Sequence, residues 1–186
     1  MKARKVAGLD PAGPLADNAE RLVRARVAEL YAFVPAALDP AEVEQLHAMR
    51  IAAKRLRYLL EATAATCFGT DARRAARAAR DLQGLIGEIH DCDVQLPRVL
   101  DMTAQLRAQD GQELRRRAGT ANDVDGALAA GLPNAPAYGG LAALESYLRV
   151  RRAVLHDEFV EMWNALVRDE FRARLERAVT ERPEPS

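Results

Sequence analysis

Cysteine is nearly absent: Cys67 and Cys92 are the only two in 186 residues. They are too few for a disulfide framework and do not form a paired-Cys metal motif. Each is expected to be reduced and to act as a small hydrophobe inside a helical pattern. Aromatics are scarce as well, at 5% of residues. The core must then be built mainly from Ala, Leu and Val, which favours close-packed helices over a β-sandwich. No segment reaches about 18 consecutive apolar residues. The opening MKARKVAGLDPAG has no apolar signal region, so a soluble, cytoplasmic protein without a membrane partner is expected. Net charge is missing too, with 27 Lys and Arg against 27 Asp and Glu. That balance argues against indiscriminate binding to nucleic acid or anionic membrane. There is no P-loop, no Gly-rich phosphate loop and no nucleophile–base pair. No catalytic residue and no cofactor are therefore assigned.

Charge is present but segregated. Residues 46–80 hold eight cations against Glu61 and Asp71, whereas residues 81–130 hold nine acids against five arginines. A focused cationic site can thus exist on a neutral chain.

No strand pattern is found. The periodicity predicts an all-α, antiparallel four- to five-helix bundle. Residues 1–13 read as a flexible leader, 14–180 as the helical bundle, and 181–186 as a frayed tail. A first helix is expected from Pro14 to about Ala37. Asp39-Pro40-Ala41-Glu42 has the form of a helix start, with Asp as cap and Pro at the first helical position. The second helix should then run to about Thr66 and stop at Gly69. A third begins near Thr70 and is kinked or ended by Pro97, with weaker helix continuing to Arg117. Residues 118–137 read as a long loop. A last helix is expected from Gly140 to about Val179, bending near Asp169. Trp163, Phe159 and Tyr147 are assigned to the core.

The most informative stretch is residues 46–61, LHAMRIAAKRLRYLLE. At 100° per residue, His47, Arg50, Lys54, Arg57 and Glu61 share one side of the helix, and Met49, Ala53, Leu56 and Leu60 the other. The cationic row is about 15 Å long and suits a long, repetitive anion. Arg50 and Lys54 are like charges four residues apart, which is unfavourable unless an anion sits between them. In the third helix Arg73, Arg77 and Arg80 repeat the spacing, with Gly84 and Gly87 on the same side. Those glycines admit either a closely packed neighbouring helix or a ligand passing over them. A third row, Arg149, Arg152 and His156, is available in the last helix. His90-Asp91-Cys92-Asp93 invites a metal reading with distant His47 or His156. However, Asp91 and Asp93 lie 200° apart on a helix, and no H-x₃-H pair exists, so no metal ligand is assigned. Asp91 is expected to pair with an arginine of the basic rows.

LHAMRIAAKRLRYLLE followed by LQGLIGEIHDCDV, with YLRVRRAVLHDEFVEMW in the last helix, resembles the CHAD family, the conserved histidine α-helical domain. The resemblance spans roughly residues 14–168. It implies a helical bundle that binds inorganic polyphosphate along a basic groove, without catalysis. Carried onto this chain, the groove would be lined by His47, Arg50, Lys54, Arg55, Arg57, Tyr58, Arg73, Arg77 and Arg80, with Arg149, Arg152 and His156 from the looser third motif. Family members commonly carry Arg-Asp where this chain has His90-Asp91. They also commonly contain two similar halves where this chain has room for one, so a homodimer would restore the symmetry. Three competing readings stand beside this. One is an all-α metal phosphohydrolase using His47 and His90-Asp91. Another is a nucleic-acid binder, which the lack of stacking aromatics on the basic rows disfavours. The third is a scaffold whose arginines make only structural ion pairs.

Overall fold

Apolar residues recurring every three or four positions wind into helices throughout. The computed structural model describes residues 3–120 and 126–181, and no strand occurs among them. The helices are α1 (Leu15–Tyr31), α2 (Val34–Ala37), α3 (Val43–Cys67), α4 (Thr70–Ala118), α5 (Gly126–Ala130), α6 (Ala137–Arg168) and α7 (Phe171–Ala178). The protein is all-α, as expected. None of the described helices is long and apolar enough to cross a membrane. The chain divides into two compact units, Met1–His90 with Val154–Ser186, and Asp91–Ala153.

In the first unit α1 packs along α3. Val23, Val27 and Leu30 of α1 are buried, as are Leu46, Met49, Ala53, Leu56 and Leu60 of α3. Leu82, Ile86 and Ile89 of α4 belong to the same interior, together with Phe159 and Trp163 of α6 and Leu175 of α7. The few aromatics are concentrated here, and the Tyr31 and Trp163 rings meet edge to face with centroids 4.9 Å apart. One carboxylate is buried beside this core. Glu29 pairs with Arg26 and, at 2.8 Å, with Arg55. A carboxylate can be buried when guanidinium groups replace its lost water.

The first helix is shorter than expected. It ends at Tyr31 and resumes for one turn at Val34. Pro35 sits at the start of that turn, where its missing N–H costs nothing. Asp39 does cap a turn, accepting from the Ala41 amide at 2.9 Å. The turn is a separate one, however, and α3 begins only at Val43. Pro97 neither ends nor interrupts α4, which runs for 49 residues. One lost backbone bond does not outweigh the helical turns on both sides of it. α6 starts at Ala137, and the break near Asp169 falls at Glu170, whose φ of 50° is left-handed. The leader carries no helix but is tied down. The Asp10 amide donates to Asn18 Oδ1 at 2.9 Å, and Asn18 Nδ2 donates to the Asp10 carbonyl at 2.7 Å. Residues 1–2, 121–125 and 182–186, parts of the expected leader, loop and tail, lie outside the described residues.

The second unit consists of α4 from Asp91 onward, α5, and α6 as far as Ala153. Its centre is polar. Buried Asp110 accepts from Asn134 Nδ2 at 2.9 Å and from the Tyr138 hydroxyl at 2.7 Å. Tyr138 is pushed above the usual phenol value because its hydroxyl donates to that carboxylate, a bond that ionising the phenol would lose. Tyr147, expected in the core, is exposed.

Candidate functional site

The tight Phe68–Gly69 break returns the chain on itself, so α3 and the first turns of α4 run antiparallel. Residues at similar distances from that break then face each other, and four such pairings form a seam within the first unit. At the far end His47 Nδ1 lies 3.1 Å from His90 Nδ1, with ring centroids 4.5 Å apart. Only one of the two nitrogens can donate at a time. One turn inward, Arg50 passes beside Gly87, where an added Cβ would stand 3.9 Å from Arg50 Nε. That Nε is buried and has no hydrogen-bond partner. Next, Arg57 Nη1 donates to Gln83 Oε1 at 2.7 Å. Nearest the turn, Glu61 Oε1 accepts from Arg57 Nε at 2.9 Å and from Arg80 Nη2 at 2.7 Å. The hydrogen bonds from Arg57 and then Arg80 hold the Glu61 carboxyl below its usual range.

The Glu61 carboxylate is shared by two guanidiniums. Lys54 lies 5.6 Å from the exposed Tyr58 ring and Arg57 5.5 Å from it. Among the described residues, Lys54 pairs with no carboxylate. The same holds for Arg73 and Arg77, which carry the α4 row on towards its N-terminus. The positive charge on this side exceeds what the chain itself neutralises. A seam of this length, about 20 Å from His47 to Glu61, can hold several anionic groups in series.

The CHAD domain family matches residues 2–100. This chain belongs to the CHAD family. No curated protein and no solved structure matches it. The CHAD-matched span contains the whole seam from His47 to His90 and stops short of α6.

That boundary agrees with what the structure does to the third basic row. Arg149 pairs with Glu145 at 2.9 Å, and Arg152 Nε donates to Asp93 at 2.7 Å. His156 is only 3% exposed, with Nε2 3.3 Å from the Ala37 carbonyl and its ring edge-on to Phe159. An imidazole so enclosed cannot touch a polyanion, so His156 drops out of the expected lining. Arg55 drops out of the seam as well, because it turns towards α1 to meet Glu29. Of the two aspartates in His90-Asp91-Cys92-Asp93, it is Asp93 that takes an arginine of the basic rows.

The two glycines also read differently in space. Nothing lies within 4 Å of a Cβ at Gly84, and side chains rather than a helix backbone flank Gly87. Gly84 leaves room, and Gly87 admits the Arg50 side chain from α3. Among the described residues no three His, Cys, Asp or Glu side chains converge as a metal set. A separate hollow of about 140 Å³, lined by Leu166, Phe171 and Leu175 with Arg74 and Arg174, shares no residue with the seam. Gln83 and His90 are the seam residues that helical spacing alone does not select. Counting outward from the Phe68–Gly69 turn in both directions would have found them.

Proposed function

We propose that this protein binds inorganic polyphosphate, without catalysing its turnover, along the α3–α4 seam. His47, Arg50, Lys54, Arg57, Arg77 and Arg80 supply the contacts, and Arg73 extends them. The observation that carries this reading is Arg50: a buried guanidinium nitrogen with no partner, beside a glycine, in a row short of carboxylates. A buried donor without an acceptor is costly, and an anionic oxygen would satisfy it. Membership of the CHAD family, which is associated with polyphosphate, supports the choice of anion. Tyr58 is a single exposed ring on the seam, too little to stack a run of bases.

Binding should release counterions and weaken steeply with salt, as it does for proteins on nucleic acids. Calorimetric titration of metal-free protein with long-chain polyphosphate at two salt concentrations tests this. Replacing Arg50, Lys54 and Arg57 together by Glu should abolish binding while circular dichroism stays helical. Tight binding by that variant would refute the site.

One observation favours a second reading. His47 and His90 stand in contact, as a His-Asp metal phosphohydrolase would require. Cationic Arg50 one turn away disfavours a divalent ion there. Phosphate released from polyphosphate on adding divalent metal would decide for the enzyme.

A further inference from the structure

His47 and His90 close the far end of the seam, and their contact limits the protons they can hold. Their Nδ1 atoms lie 3.1 Å apart and their ring centroids 4.5 Å apart. A neutral imidazole donates from one ring nitrogen and accepts at the other, whereas an imidazolium donates from both. The pair as it stands has room for one hydrogen between the two Nδ1 atoms. Charging both rings would set two N–H groups and two cations against each other. The surroundings add to that opposition. Arg50, one turn along α3, brings a further cation whose buried Nε has no partner. α2, packed on α3, carries no charged residue. Glu29 of α1 is held by Arg26 and Arg55. On α4, Asp93 lies about 60° round the helix from His90, but Arg152 Nε holds it at 2.7 Å. Glu44 of α3, Glu88 and Asp91 of α4, and Asp157 and Glu158 of α6 are exposed, where water weakens their pull.

We propose that polyphosphate binding takes up protons at the His47–His90 pair, so that affinity rises as pH falls through the imidazole range. This inference rests on the polyphosphate reading of the seam. An anion over this end gives each ring an acceptor of its own and offsets the charge that opposes a second proton. Each Nδ1–H can then turn from the neighbouring ring to a phosphate oxygen. Imidazole changes charge between about pH 5 and 8. The arginines of the seam stay charged across that range, so the proton-dependent part of the seam lies at this end. By linkage, each proton taken up strengthens binding by at most about tenfold per pH unit. Protonation of the polyphosphate chain ends works in the opposite direction, because it removes negative charge from the ligand. His156 is buried against the Ala37 carbonyl and Phe159, away from any bound anion.

Calorimetric titration of the full chain with long-chain polyphosphate, at about pH 8 and about pH 6 and one ionic strength, reads the affinity. Repeating it in two buffers of different ionisation enthalpy counts the protons. The expected result is net proton uptake and an affinity about tenfold or more higher at the lower pH. Equal affinity at the two values, or no proton uptake, overturns this inference and leaves the seam standing. No binding at either value removes the seam reading and this inference with it. His47→Gln with His90→Gln should bind without proton uptake. Uptake retained by that variant would detach the effect from the pair. Histidine ring signals in NMR spectra of the wild type decide even if the variant folds poorly. His47 and His90 should titrate at higher pH with polyphosphate bound than without it, and His156 should not move. Unmoved His47 and His90 signals would refute the proposal.

Discussion

The unit of residues 1–90 with 154–186 buries leucine, isoleucine, phenylalanine and tryptophan, whereas residues 91–153 bury a leucine, a cysteine and an aspartate. Their arginines differ in degree, since Arg98, Arg107 and Arg115 of the second unit also have no carboxylate among the described residues. In the second unit Arg116 and Arg117 bind Glu113, Arg149 binds Glu145 and Arg152 binds Asp93. Glu113, held by two exposed guanidiniums, is pushed down to about 2. In the first unit Arg50 keeps an unsatisfied nitrogen, as Arg152 Nη2 does in the second, and Lys54, Arg73 and Arg77 have no carboxylate among the described residues. A unit with a large apolar interior can tolerate uncompensated charge on its outer side, because its stability does not depend on local ion pairs. A unit with little interior has less of that margin. The comparison thus teaches where a charged ligand can be accommodated.

The largest test of this difference lies in the cores. Phe159→Ala, at a fully buried site, should lower stability to urea by about 3–5 kcal/mol, and Leu148→Ala in the thin unit by about 2 kcal/mol. An equal or reversed ranking would break the comparison. The buried acids come next. Glu29→Gln removes the charge that Arg26 and Arg55 share and should cost about 3 kcal/mol. Asp110→Ala leaves the neutral donors of Asn134 and Tyr138 unsatisfied and should cost roughly 1–3 kcal/mol in the same urea series.

Glu61→Gln should have the smallest effect on stability and a useful one on binding. It removes the carboxylate that competes for Arg57 and Arg80. Polyphosphate affinity by calorimetry should rise several-fold, and an unchanged or weaker affinity would detach Arg57 and Arg80 from the site. The pH dependence has a definite sign. Glu61 has a lowered folded value, so its contribution is complete above the usual carboxylate value of 4.5 and is lost as pH falls through the lower folded value. Wild type should lose this part of its stability in acid, and Glu61→Gln should not.

Much of the first unit was legible from spacing. The cationic row of α3, the turn at Phe68–Gly69 and the α4 arginines stand where periodicity put them. The occupancy of each cation was not legible. Arg55 neighbours Lys54 in sequence, yet it is captured by Glu29 from α1. His156 continues an Arg-Arg spacing, yet it is enclosed against Phe159. Tyr147 looked like core and is exposed.

The sequence by itself determined the helices, their apolar sides and the segregation of charge, because these depend on residues three or four apart on one helix. Only the tertiary structure decided which charges are free, which glycine shelters Arg50 and which apolar side is left uncovered. Ion pairing and burial depend on distance in space, and residues far apart in the chain set those distances only once the helices have packed.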